Sequence, residues 1–261
     1  MKLNISFKDF KKNHSKKKHQ VLFFSKKCND YRKVENLYKF LLVEKNSFIF
    51  ESVEKGKIKG RYSIIGLKPD KIWDIRNNII SVISESNTKK IKTKPLKFLN
   101  KLINEFDVKI PAGLPSMSSM LVGYFSYDVI RYIEKIPNKC LDDLKIPDVR
   151  LSRPTNLIIY DNLKKKIYYV ENVFTDTPIK DYFEKYDSIK HKFQLFQGYE
   201  NIVLPDKFTF KKNNSEIKSN TSKNKFKNMV LKAKKHIVNG DIFQVVLSQR
   251  FERKQPEKYH H

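Results

Sequence analysis

The sequence predicts an α+β protein in which antiparallel β-sheets are flanked by helices, followed by a shorter helix–strand segment. Three observations carry this. Of 261 residues, 39% are hydrophobic and 13% aromatic, enough to bury a core. Two alternating apolar runs are interrupted by Asn-Asn and Asp-Asn pairs, as in hairpins. Other segments place apolar residues at helical spacing.

Element by element, residues 1–19 are polar and Lys-rich and read as a basic arm. Gln20–Phe24 (QVLFF) is a short strand. Asp30 is placed to cap a helix with Val34, Leu37, Tyr38 and Leu41 on one face. Ser47–Val53 (SFIFESV) is a strand, and RYSIIGL, beyond a Lys/Gly turn, is a second. Lys71–Ser84 (KIWDIRNNIISVIS) reads as a hairpin, because Asn77-Asn78 tolerate the positive φ of a tight turn. A helix with Pro95 in its first turn should bury Leu96, Leu99, Leu102, Ile103 and Phe106. Ser118–Ile136 runs from strand into helix, and Asn156–Phe174 is a hairpin around Asp161-Asn162. Ile179, Tyr182, Phe183, Tyr186, Ile189 and Phe193 mark another helix.

Beyond Phe196 the composition turns to linker (KKNNSEIKSNTSKNK). Phe226, Val230, Ala233 and Ile237 then share a helical face, ended by Gly240. GDIFQVVLSQRF (Gly240–Phe251) predicts a strand. One face carries Gln244, Ser248 and Arg250, which can line a polar cavity or face solvent; the other carries Phe243, Val245, Leu247 and Phe251. The predicted organisation is a basic arm (1–19), an α+β domain (20–196), a linker (197–225) and a helix–strand pair (226–261). That pair is too small to form a core of its own.

The net charge of +26 reflects 54 basic against 28 acidic residues. Only Arg32, Arg61, Arg76, Arg131, Arg150, Arg153, Arg250 and Arg253 are arginines, and the lysines are scattered. Bidentate reading of phosphates and bases favours Arg, so the pattern describes a solvated basic surface and no specific nucleic-acid site. Cys28 and Cys140 lack metal-ligand spacing. With no signal-peptide pattern and no apolar run of ~18 residues, no membrane span is expected and the cytoplasm is the expected location.

The common catalytic patterns, G-x-S-x-G, H-E-x-x-H, the P-loop and the Rossmann glycines, do not occur. The six histidines read as solvated or tag-like. FESVEKGKIKGRYSIIG sets Glu51 and Ser52 at a strand end with Arg61 at the start of the next strand. Such a trio could hold an amino-acid ligand, or could be a Glu–Arg ion pair at a sheet edge.

Four segments, in order, carry a family likeness: Phe50–Pro69 (FESVEKGKIKGRYSIIGLKP), Val122–Pro137 (VGYFSYDVIRYIEKIP), Ile146–Asn172 (IPDVRLSRPTNLIIYDNLKKKIYYVEN) and Ala233–Arg253 (AKKHIVNGDIFQVVLSQRFER). Together they resemble component I of anthranilate synthase, a chorismate-utilising enzyme. The related aminodeoxychorismate synthase large subunit typically has Asn and Thr where this chain has Val246 and Ser248. Ser126 departs from the Gly usual in GYFGYD.

The resemblance implies the N-terminal domain of component I, followed by the first helix and strand of an incomplete chorismate-binding domain. It implies a lyase that makes anthranilate and pyruvate from chorismate. The ammonia comes from a glutamine amidotransferase subunit (component II), Mg²⁺ is the cofactor, and L-tryptophan is the feedback inhibitor. Glu51 and Ser52 match the inhibitor-binding L-L-E-S motif. The family's catalytic and metal-binding residues lie beyond the SQRF strand, so no catalytic or metal residue is assigned here. On this basis the chain is expected to be inactive alone and to bind no Mg²⁺. A stand-alone tryptophan-sensing or partner-binding module is the alternative.

Overall fold

The computed structural model describes residues 2–41, 44–51, 60–85, 87–138, 141–202 and 215–254. The chain divides into two compact units, Met1–Leu204 and Pro205–His261.

The first unit is built on an antiparallel sheet whose strands are β1 (Gln20–Lys27), β2 (Phe48–Phe50), β3 (Tyr62–Arg76), β4 (Ile79–Ile83), β5 (Thr88–Lys92), β6 (Val122–Phe125), β7 (Val149–Asp161) and β8 (Lys166–Val173). The path runs β1-β8-β7-β3-β4-β5, with β2 also on β3 and β6 also on β7. Its helices are α1 (Phe7–Ser15), α2 (Tyr31–Leu41), α3 (Pro95–Glu105) and α4 (Tyr182–Tyr199).

β3 and β7 are the spine, paired from Tyr62–Asp161 to Ile75–Val149. Each changes its outer neighbour along its length. Residues 64–66 of β3 pair with β2 and residues 72–76 with β4. Residues 156–161 of β7 pair with β8 and residues 149–152 with β6. The changeover coincides with a bulge between Pro69 and Lys71, beside Pro154, where two prolines cannot donate to the ladder. The extra residue, Asp70, turns its carboxylate onto Arg153, which donates to it at 2.8 and 2.7 Å. A bulge of this kind bends the strand and re-aims one side chain.

The two resulting half-sheets have different cores. In the first, Ile158, Tyr160, Ile167 and Tyr169 face α1, α2 and α4, while Leu157, Ile159, Tyr168 and Val170 pack against Val108, Ile110, Leu114 and Met117. Coverage of both faces explains the nearly unbroken burial of β8 and its apolar run Ile167–Val170. In the second half-sheet Trp73, Ile75, Ile80, Val149 and Leu151 pack against Leu99 of α3. The ring of Phe48 lies where a Cβ on its partner Gly66 would sit, so that position needs glycine.

Both hairpins form at the expected pairs. Asn77, at φ +54°, turns β3 into β4, and the Asp161 carboxylate accepts from the N–H groups of Leu163 and Lys164 at the start of the β7–β8 turn. RYSIIGL and KIWDIR, read as separate strands, are one strand carried through the Pro69 bulge. Residues 122–132 give β6 and then a short 3-10 helix, Tyr127–Tyr132. Ser126 has φ −73°, so no glycine is required there.

In the first unit two expectations are corrected. The segment read as a basic arm is docked from residue 3 onward: Ser6 caps α1, Phe10 is fully buried, and Leu3 joins the same core. Burying Phe10 contributes ~1.5–3 kcal/mol, and the surrounding lysines stay exposed, so docking the helix costs them no hydration. In α3 the buried face is rotated from the expected one. Leu99 is buried, while Ile103 is 60% exposed.

The second unit contains β9 (Ile217–Ser219), α5 (Lys223–Val238) and β10 (Phe251–Arg253), with β9 and β10 paired. Gly240 follows α5 at φ +78°, and its neighbour Asp241 donates its N–H back to the His236 carbonyl at 3.0 Å, a Schellman-type stop. The strand expected from Gly240 does not form: residues 241–250 have no ladder partner among the described residues, and only Phe251–Arg253 pairs. Residues 197–225, expected as linker, carry the end of α4, all of β9 and the start of α5; residues 203–214 lie outside the described set.

Candidate ligand-binding site at the β2–β3 edge

Glu51 directly follows β2 and is exposed. Tyr31, the first residue of α2, donates its hydroxyl to Glu51 Oε1 at 2.8 Å. Ser63 of β3 is fully buried and pairs in register with Tyr160, whose ring lies 5.5 Å from that of Tyr31. The Tyr38 phenol sits beside Ser63 and Tyr31. Three hydroxyls and one carboxylate therefore gather where α2 crosses the ends of β2 and β3.

Burial pushes the Tyr31 phenol up, with Glu51 adding to the effect, and burial likewise pushes Tyr38 up. Both remain protonated hydroxyls at neutral pH. The exposed carboxylate is suited to an ammonium group, and the hydroxyls to neutral hydrogen bonds.

Of the sequence-predicted residues, Glu51 lies in this cluster and Ser52 lies outside the described residues. Arg61 is engaged elsewhere. Its guanidinium, just before β3, donates to Asp161 of β7 at 2.8 Å, so neither reading of the Glu51–Ser52–Arg61 trio, ligand site or Glu51–Arg61 ion pair, keeps Arg61. Sequence reading missed Tyr31, Tyr38 and Ser63 as site residues. The seven-residue spacing of the tyrosines, two turns on one helical face, was a usable signal.

In the second unit Gln244 and Ser248 are exposed on irregular backbone, and Arg250 pairs with Glu252 at 2.9 Å. The shared face proposed for Gln244, Ser248 and Arg250 required strand alternation, which this segment does not adopt. Phe243 is 99% and Val246 83% exposed, with Val245 and Phe251 also exposed and Leu247 partly so.

Among the described residues no group of three or more His, Cys, Asp or Glu side chains converges to hold a metal ion. No helix among them is long and apolar enough to cross a membrane.

The family described as chorismate binding enzyme matches residues 46–260. Anthranilate synthase component 1 of Acetivibrio thermocellus is 36% identical over 211 residues, covering 78% of this chain and 42% of that protein. The Cereibacter sphaeroides component 1 is 29% identical over 252 residues, covering 94% of this chain and 50% of that protein. The crystal structure of anthranilate synthase component I from Streptococcus pneumoniae superposes with a TM-score of 0.59 at 25% identity, covering 84% of this chain and 46% of the other. The chain thus spans about half the length of the curated relatives it matches. The structural likeness agrees with the mixed helices and antiparallel sheet described above. On the extent of the family match, this chain belongs to the chorismate binding enzymes.

Proposed function

We propose that this chain forms the N-terminal portion of an anthranilate synthase component I of tryptophan biosynthesis, working in the cytoplasm. The whole enzyme converts chorismate and ammonia to anthranilate, pyruvate and water, the ammonia being released from glutamine by a partner amidotransferase. The observation that carries this reading is the 36% identity to a component 1 protein, running through 78% of the chain but only 42% of that relative. The bare apolar side chains of residues 243–251 support a further proposal, that this segment seats the family's chorismate-binding half.

The test mixes the 261-residue chain with the separately produced remainder of the Acetivibrio thermocellus component 1, then supplies chorismate, ammonia and Mg²⁺. Anthranilate should appear, by its fluorescence, in the mixture and in neither part alone. Anthranilate from the chain alone would refute dependence on the other half. An aminated chorismate without pyruvate release would instead assign the chain to the aminodeoxychorismate synthase branch.

For regulation, Glu51 and Ser52 are proposed to hold the L-tryptophan inhibitor, with the Glu51 carboxylate on its ammonium group and Tyr31 orienting that carboxylate. Calorimetry with L-tryptophan should give binding that Glu51→Gln weakens. No heat up to millimolar ligand would remove both this role and the stand-alone sensor alternative.

A further inference from the structure

A cleft of about 610 Å³ opens where α3 meets the second half-sheet. It is separate from the Glu51 cluster. Along β7, Ile159 lies opposite Ile64 at the β2 end, and Arg153 lies opposite Lys71 at the cleft, a separation of about 20 Å at ~3.3 Å per residue.

α3 and the residue that follows it offer two parallel stripes to this cleft. Phe98, Leu102 and Phe106 recur every four residues and form an apolar wall; Lys97, Lys101 and Glu105 recur one position earlier and form a charged lip. Trp73 and Ile91 from the sheet also line the cleft. Arg153, 6% exposed, contributes as well, its guanidinium 3.9 Å from the Phe174 ring centre and bonded to Asp70 and Asp176. Asp176 also pairs with Lys71. His19 accepts the Thr175 N–H on Nδ1 at 3.2 Å, and burial and then Arg153 hold its pKa down, so the neutral ring carries its proton on Nε2.

The charged residues deep in the cleft are thus matched to one another, whereas those at the lip are not. Lys97 has no ion pair among the described residues, and Lys101 meets only Glu105, at 3.7 Å with both side chains well exposed. An apolar slot lined by aromatic rings and edged by the Lys97 ammonium and the loosely paired Lys101 ammonium suits one ligand class. The volume falls within the ~300–1,000 Å³ typical of small-molecule sites. We propose that this cleft binds a small aromatic or cyclic carboxylate, its ring against Trp73 and the Phe98–Leu102–Phe106 wall and its carboxylate at Lys97 and Lys101. The site is independent of the Glu51 cluster and of the activity proposed above.

Trp73 is the chain's single tryptophan, so its emission reports from the cleft itself. The experiment titrates the full chain with phenylacetate and, in parallel, with uncharged phenylacetamide. Phenylacetate should give a saturable change in Trp73 emission. The amide should bind roughly fivefold more weakly, the upper end for an exposed ion pair. The double variant Lys97→Glu, Lys101→Glu, altered only at exposed positions, should weaken phenylacetate at least as much, and Glu51→Gln should leave the titration unchanged. Absence of a saturable response at millimolar phenylacetate overturns the proposal. So does equal binding of acid and amide, or wild-type binding by the lysine variant. A response lost in Glu51→Gln but kept in the lysine variant places the ligand at the other cluster and also overturns it.

Discussion

Replacing Arg153 with methionine tests whether the bulge in β3 is held by charge. The side chain is 6% exposed and makes two bonds to Asp70, at 2.8 and 2.7 Å, and one to Asp176, at 2.8 Å. Methionine keeps much of the aliphatic stem but leaves the Asp70 carboxylate, 14% exposed, beside a position with no cation. Breaking a buried pair from one side costs ~3–5 kcal/mol. Asp176 is 42% exposed and keeps Lys71, so the expected loss lies at the lower end, about 3 kcal/mol. In a unit of this size that lowers Tm by roughly 6–12 °C. Urea unfolding followed by Trp73 emission is the assay, since that ring lies 5.9 Å from the guanidinium and reports on the first unit alone. Asp70→Asn and the double variant complete a cycle, whose coupling should exceed about 1 kcal/mol. A loss below about 1 kcal/mol for Arg153→Met, or simple additivity in the cycle, refutes the reasoning.

The other predictions follow from single contacts. Burial opposes ionisation of Asp176, but hydrogen bonds from Arg153 and Lys71 prevail and hold its pKa at about 2 against an ordinary 3.8. A carboxyl depressed in this way stabilises the fold fully above pH 3.8, and that stability is lost as pH falls through about 2. The urea midpoint should therefore drop across that window, and Asp176→Asn should flatten the drop. A Cβ on Gly123 would lie 1.8 Å from the Arg150 carbonyl oxygen, so Gly123→Ala should force β6 off β7. A cost of ~1–3 kcal/mol by urea unfolding is expected. Phe243→Ser alters a side chain that is 99% exposed, so thermal unfolding should move by less than ~0.5 kcal/mol. The same change should weaken recovery of anthranilate formation in the mixing experiment; unchanged recovery would remove residue 243 from the proposed seat.

Local signals in the sequence were legible where a few neighbouring residues decide the outcome. Asn77, Asp161 and Gly240 each set a turn or a stop through their own backbone or side chain, and each does so in the structure. What depends on distant partners was not legible. Pro69 reads as a break, yet the strand continues because Pro154 lies opposite it and the bulge absorbs both. Phe10 is hidden among lysines, and its ring contacts with Tyr182 and Tyr186 of α4, beside those of Phe7 and His14, make residues 7–15 a docked helix. Residues 241–250 have strand alternation without a ladder, because alternation alone supplies no backbone partners. At the candidate site, the sequence singles out Glu51 through the resemblance alone. The hydroxyls beside it come from α2 and β3, which the fold, not sequence proximity, brings together.

The register of β1 has a consequence for how the chain is made. Gln20 pairs with Val173 and Lys27 with Lys166, and Ile5 accepts a bond from Tyr186, so these residues leave a ribosome well before the partners they need. At roughly 5–20 residues per second the wait is on the order of ten seconds or more. Through that interval Val21, Leu22 and Phe10, all buried in the finished fold, are without cover. The neighbouring lysines, from Lys8 to Lys18 and again at Lys26 and Lys27, put like charge beside these apolar residues, the gatekeeper pattern suited to an edge strand that must wait for its partner.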